Sequence, residues 1–248
     1  LDNFSTGSKK NIQPFLSNSK FQFIEGDIRN YETCLQVCNN INLISHQAAL
    51  GSVPRSINDP LTTNAVNITG TLNMFTAAKE TNIKRVVYAA SSSTYGDHPG
   101  LPKVEDKIGN PLSPYAVTKY VNELYARVYA NTYGLQLIGL RYFNVFGPKQ
   151  SPNGPYAAVI PLFIQSLLNN QAPFINGDGS HSRDFTFVSN AVLANMKALF
   201  TENNDAVNQV YNIACGEQTT LLQLFNYLKN ITQSNINVVL REERKGDV

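Results

Sequence analysis

The sequence predicts an α/β fold: a parallel sheet covered by helices on both faces, followed by a smaller lobe. Three observations carry this. Short apolar runs at 41–45, 85–90 and 135–140 read as buried strands. Helical patterns separate them, and strands that alternate with helices need the crossovers that build parallel sheets. After about residue 148 the texture turns loop-rich, which sets 1–148 apart as the sheet domain and 149–248 as the lobe.

Taken in order, 21–24 reads as a short strand, and Cys34 and Cys38 share one face of the next helix. Leu61, Ala65, Ile68, Leu72 and Phe75 recur at spacings of four and three, which predicts one amphipathic helix over 60–81. Ser113 is a good N-cap, Pro114 suits the first helical position and Gly134 suits the C-cap. Val117, Val121, Leu124 and Val128 form the apolar stripe of that helix. In the lobe, 151–155 and 176–179 read as loops, 159–170, 188–200 and 219–231 as helices, and 210–214 as a strand.

Composition excludes several classes. The chain of 248 residues is 42% hydrophobic and 15% charged with net charge +2, and no dense run of Lys and Arg argues for nucleic acid. No apolar run approaches the ~20 residues of a membrane span. Three cysteines cannot build a disulfide framework, and with three histidines no spacing resembles a zinc site. Reduced thiols in a cytoplasmic protein are the expectation. The opening Leu1-Asp2-Asn3 reads as if a strand had just finished and the end stops in a polar loop, so both ends are expected to be cut.

In parallel sheets ligands bind at the carboxyl ends of strands, so the residues there matter most. Asp2 stands where an acid binds the ribose hydroxyls of NAD, or is a plain loop acid. Asp27 reads equally as an adenine contact or a helix N-cap. In His46-Gln47-Ala48-Ala49 the small residues allow close approach of a cofactor or simply pack, and His46 reads as a hydrogen-bonded core histidine. Ser91-Ser92-Ser93-Thr94 offers hydroxyls suited to a sugar, or forms a serine-rich turn. Tyr115 and Lys119 lie one turn apart at the start of a helix. The dipole and the ammonium there can lower a phenol from its usual ~10 and make it a base. The alternative is a half-buried Tyr with a surface Lys.

Together LDNFSTG, EGDIRN, HQAA, AASSSTYGD, SPYAVTKY, RYFNVFGP and GDGSHSRDF resemble the extended short-chain dehydrogenase/reductase family, the NAD-dependent epimerases and dehydratases of nucleotide sugars. Within it, AASSSTYGDHP, SPYAVTKYVNE and YAAVIP are similar to bacterial UDP-N-acetylglucosamine and UDP-N-acetylgalacturonate 4-epimerases. The resemblance implies a Rossmann-like doubly wound sheet with its N-terminal βαβ portion missing. The glycine-rich turn of that portion would lie before Leu1, so residues 1–248 alone are expected to hold NAD weakly. It implies that Tyr115 is the base, that Lys119 binds the nicotinamide ribose and depresses Tyr115, and that Ser91 bonds the sugar 4-oxygen. Asp2, Asp27, Ile28, Gln47, Ala48, Ala49, Tyr142 and Val145 would line the NAD site with Tyr115 and Lys119. Gly51, Ser52, Ser91, Ser93, Asn144, Val159, Asn176, Arg183, Arg244 and Asp247 would hold the UDP-sugar. A homodimer through the helices at 60–81 and 115–133 is also implied. Relatives that eliminate water carry an Asp-Glu pair where this chain has Ser92 and Ser93, so the expected reaction is 4-epimerisation. Another dehydratase or reductase, or a non-catalytic nucleotide-binding module, are the alternatives.

Overall fold

The computed structural model describes residues 1–153 and 157–242. The first elements are α1 (Tyr31–Cys38), β1 (Leu43–His46), α2 (Val53–Asn58), α3 (Pro60–Asn64), α4 (Gly70–Glu80), β2 (Arg85–Ser91), α5 (Pro114–Tyr133) and β3 (Gln136–Tyr142). Then come β4 (Asn144–Phe146), α6 (Val159–Leu168), β5 (Phe174–Asn176), β6 (Ser182–Arg183), β7 (Phe185–Phe187) and α7 (Val188–Phe200). The last are β8 (Val210–Ile213), β9 (Thr219–Thr220), α8 (Leu221–Thr232) and β10 (Val239–Arg241). The chain divides into two compact units, Leu1–Arg141 with Val192–Asn212, and Tyr142–Ala191 with Ile213–Val248.

The first unit is built on a four-stranded sheet of order β1-β2-β3-β8. β1 and β2 run parallel, with Leu43 opposite Arg85 and His46 opposite Tyr88. Val86, Val87, Tyr88 and Ala90 of β2 are all buried, as a strand covered on both faces must be. Phe75 of α4 is fully buried and packs its ring on Tyr88 at 5.6 Å and Tyr129 at 5.8 Å. Gly139 leaves room for this cluster, because a Cβ there would lie 2.6 Å from the Tyr88 hydroxyl. Arg85 opens β2 and donates to the carbonyls of Ala198, Leu199 and Thr201 at the end of α7. A buried cation thus meets the negative end of a helix.

Helix α5 forms as expected: the Ser113 hydroxyl accepts from the Ala116 N–H at 3.1 Å, and Gly134 ends it at φ 70°. Its burial differs from the expectation. The inward face carries Thr118, Lys119, Asn122 and Glu123, whereas Val117, Leu124 and Val128 point outward. The helix expected over 60–81 is interrupted: a π-turn over Ala65–Thr69 separates α3 from α4, and Leu61 is exposed. The extra residue of a π-turn re-aims the backbone, and here it accompanies a fully buried Asn67. The segment 21–24 forms no ladder; it meets Asp2 only through a single bridge at Glu25, with Asp2 N–H on the Ile24 carbonyl at 3.2 Å.

Among its described residues the second unit has three two-stranded pairs: β4 with β7, β5 with β10, and β6 with β9. Its core joins Phe163 and Leu167 of α6 to Leu224 and Phe225 of α8, with Phe163 and Phe225 edge-to-face at 6.1 Å. A reciprocal cap between Thr220 and Gln223 starts α8.

Truncating Phe75 to Ala removes the ring that joins α4 to the sheet. A loss of ~3–5 kcal/mol in urea unfolding is expected, with a smaller loss for Phe75→Leu. A loss below ~1 kcal/mol for the Ala variant would contradict this packing.

Candidate active site

The reactive side chains gather at the carboxyl end of β2 and the first turns of α5. The buried Lys119 ammonium donates to the Ala89 carbonyl of β2 at 2.8 Å, which ties the helix to the strand. Its nitrogen lies 5.9 Å from the centre of the Tyr115 ring. Burial lowers the Lys119 pKa to about 8. Ser91 ends β2, and its hydroxyl accepts from Ser93 N–H at 3.2 Å and from Ser93 O–H at 2.9 Å. Ser93 therefore holds the Ser91 hydroxyl in place.

Tyr115 departs from the expectation. Burial pushes its phenol up, and the opposing influence is the hydrogen bond with Ser91 rather than the Lys119 charge. The physical reason is that the pocket which brings the three groups together also strips water from the phenol. His46 at the end of β1 lies close enough to Lys119 to feel its charge. It is buried, with Nε2 3.0 Å from the Thr71 hydroxyl, and it is held near pKa 3 by burial first and by Lys119 second. It is the core histidine that the sequence suggested, kept neutral.

Asp2, Asp27, Gln47, Ala48 and Ala49 line one cavity of about 420 Å³. Asp27 is not a helix cap, since Asn30 caps α1 by accepting from Thr33 N–H. Its carboxylate instead takes Arg29 and Asn3, and Arg29 holds its pKa at about 2. Asp2 accepts from Phe4 N–H at 2.6 Å. Ile28 is buried, and Gly70 makes space for it: a Cβ there would meet Ile28 Cδ1 at 2.5 Å. Gln47 donates to Ser45 and to Asn195 of α7, so its amide is oriented. The donor set fits NAD. Asp2 would suit ribose hydroxyls, Ala48 and Ala49 would permit close approach, and Lys119 lies within 5.9 Å of the Tyr115 ring centre.

A Cβ on Gly51 would meet nothing within 4 Å, so its surroundings are open. Ser52 sits at φ 127°, a strained value for a non-glycine residue, and its hydroxyl caps α2 through Arg55 N–H. In the second unit, Asn144 donates its backbone and side-chain N–H to the Asp184 carbonyl, and Val145 pairs with Thr186. Val159 opens α6, Asn176 ends β5 and Arg183 lies on β6. Tyr142 ends β3. Arg244 and Asp247 lie outside the described residues.

Sequence reasoning missed three residues around these groups. Asn67 donates to the Leu50 carbonyl and accepts from the Leu50 N–H, clamping the 47–52 loop. It also donates to Thr118 on α5. A polar residue between Val66 and Ile68 in a helical pattern was the available signal. Asp184 accepts from the backbone N–H groups of Cys215, Gly216 and Glu217, which anchors that loop in the second unit. Glu123 pairs with Arg141 inside the first unit.

Neutral, buried His46 makes stability depend on pH. The unfolded chain binds a proton near pH 6.5 and the folded chain only near 3. Below about 6.5 the unfolded state binds more protons, so stability falls as pH drops toward 3 and is complete above 6.5. His46→Gln, which keeps a partner for Thr71, is expected to flatten this slope in denaturant titrations between those pH values. An unchanged slope would refute the assignment.

Comparison with known proteins identifies the family. Residues 1–214 match the family model described as the NAD dependent epimerase/dehydratase family. A UDP-glucose 4-epimerase of Mycolicibacterium smegmatis is 33% identical over 250 residues, covering 100% of this chain and 79% of that protein. The solved UDP-N-acetylglucosamine 4-epimerase from Methanobrevibacter ruminantium, in complex with UDP-N-acetylmuramic acid, superposes with TM-score 0.92 at 39% identity, covering 100% of this chain and 78% of the other. The UDP-glucose 4-epimerase of Thermus thermophilus, solved with NAD, gives 0.89 at 30% identity, with 100% and 79% covered. With Tyr115, Lys119 and Ser91 gathered near the end of β2 and the family model matching residues 1–214, the chain belongs to the NAD dependent epimerase/dehydratase family.

Proposed function

We propose that this protein interconverts the C4 epimers of a UDP-sugar, with an N-acetylated hexose or its uronic acid as substrate. The observation that carries the reading is the set of groups at the end of β2. Ser91, Ser92, Ser93 and Thr94 supply hydroxyls where elimination of water would need an acid and a base. Thr94 of this turn touches the Glu123 carboxylate at 3.4 Å, and Arg141 already pairs with it. One proton shuttle is what remains, and one shuttle suffices for epimerisation.

NAD, when bound, supplies a reversible hydride acceptor for C4. Asp2, Asp27 and Gln47–Ala49 would hold it, with Lys119 on its ribose. Tyr115, which must ionise against the upward push of burial, would take the proton of the 4-hydroxyl as C4 is oxidised and return it as C4 is reduced on its other face. Ser91, oriented by Ser93, bonds the 4-oxygen throughout and holds the phenol in line. No net proton leaves the site. Within the second unit, Asn176 and Arg183 suit the nucleotide, because a guanidinium pairs well with a diphosphate. The N-acetyl preference draws on the 39% identical relative and its named activity.

The test offers UDP-N-acetylglucosamine, UDP-glucose and their uronic acids separately, without reductant, and follows C4 by proton NMR. An N-acetylated sugar that equilibrates with its galacto epimer, and a Tyr115→Phe variant slowed by roughly 10²–10⁴-fold, are the expected results. A 4-keto product that accumulates, or a Tyr115→Phe variant of unchanged rate, would refute the reading.

We also propose that the protein is a homodimer through α3, α4 and α5. The outward stripe of α5, with Val117 46%, Leu124 43% and Val128 52% exposed, suits a second copy of the same helix. Light scattering is expected to give twice the chain mass, and Leu124→Glu with Val128→Lys to give one. A monomeric parent protein would end this proposal.

A further inference from the structure

We propose that the buried Glu123–Arg141 pair is a positioning element that holds the Ser91–Tyr95 turn in register with Tyr115 on α5. The inference rests on the epimerase reading above and deepens it. Ser91 and Tyr115 come from different elements, so their mutual geometry needs a fixed link between turn and helix. Lys119 supplies one link, to Ala89 before the turn. Glu123 supplies a second, to the far side of the turn. It lies one helical turn beyond Lys119 on the same inward face.

The contacts converge. Arg141 Nε donates to Glu123 Oε1 at 2.9 Å and Nη2 to Oε2 at 2.7 Å, a two-pronged pair. Thr94 Oγ1 donates to Glu123 Oε1 at 3.4 Å. The Arg141 guanidinium lies 4.9 Å from the centre of the Tyr95 ring, and Nη1 donates to the Glu105 carbonyl at 3.0 Å. Tyr95 O–H donates to Asn212 Oδ1 at 2.6 Å, and the Asn212 N–H donates to the Glu105 carboxylate at 2.8 Å. Thr94 and Tyr95, the last residues of the catalytic turn, are thus gripped by one ion pair whose acid sits on the catalytic helix. Both charges are buried, at 8% exposure for Glu123 and 3% for Arg141.

Stability alone is a poor reason for such a pair. Replacing both charges with well-packed apolar groups is commonly neutral, whereas removing one is severe. That contrast separates positioning from folding. Tyr115 reports on the register, because burial and the Ser91 hydrogen bond set its place on the pH scale. The ionisable groups around it are Lys119 on its own helix and, beyond Lys119, His46 at the end of β1.

The experiment compares wild type, Glu123→Gln, Arg141→Lys and the double variant Glu123→Leu/Arg141→Met. Turnover is counted per NAD-loaded site. Tyr115 is titrated separately by phenolate absorbance, as the difference between each protein and its Tyr115→Phe counterpart. For the double variant, kcat is expected to fall roughly tenfold or more with KM within about threefold of wild type. The acid limb of kcat and the Tyr115 titration should both move to higher pH, as in Ser91→Ala. Arg141→Lys should recover part of the rate. The proposal is overturned if any charge-removing variant keeps wild-type kcat per loaded site, or if kcat falls while the Tyr115 titration stays in place. A wild-type protein that binds NAD but inverts no sugar would sink the epimerase reading instead, and the Tyr115 titration would still decide the role of the pair.

Discussion

The hydrogen bond from the Lys119 ammonium to the Ala89 carbonyl is the constraint on which the site depends. It joins α5 to β2, the two elements that carry Tyr115 and Ser91. An ammonium is buried only at a cost in lost hydration, and the lowered pKa of Lys119 records it. The fold tolerates this because the bond is short and the surrounding groups are polar. The inward face of α5 departs from an ordinary amphipathic helix: Thr118, Lys119, Asn122 and Glu123 are inside with Ala116 and Ala126, while Val117, Leu124 and Val128 are outside.

That departure explains the density of buried hydrogen bonds around the helix. Asn67 holds Leu50 and Thr118, Thr71 joins His46 to Asn122, and Glu123 holds Arg141. A buried polar group without a partner is costly, so each inward polar residue of α5 requires one on a neighbouring element. The π-turn before α4 serves this need, because it accompanies the inward placement of Asn67. Catalytic geometry and folding are therefore linked through the same bonds. The apolar core beneath them, from Phe75 to Tyr88 and Leu137, supplies the rigid base.

Burial also sets the electrostatic character of the site. It keeps His46 neutral, raises Tyr115 and lowers Lys119, all in the direction that disfavours charge. The group that opposes this at Tyr115 is Ser91. A hydroxyl held by Ser93 thus acts on the phenol of Tyr115. The Glu123 carboxylate, which touches the turn through Thr94, is occupied by Arg141.

By itself the sequence determined the alternation of strands and helices, the caps of α5, the placement of Ser91 at the carboxyl end of a strand and the one-turn spacing of Tyr115 and Lys119. These are local properties: apolar period, cap chemistry and helical pitch are written in neighbouring residues. Only the tertiary structure decided which face of α5 is buried, that Asn30 rather than Asp27 caps α1, and that the helix after residue 60 breaks into a π-turn. It alone brought Glu123 to Arg141, Asn67 to Leu50 and Asp184 to the 215–217 loop. Each of these joins residues far apart in the chain, and partners chosen across such distances follow from packing that no local pattern encodes. The pKa direction of Tyr115 belongs with them. Helix dipole and neighbouring cation were visible in the sequence, but the burial that raises the phenol exists only once the chain has folded around it.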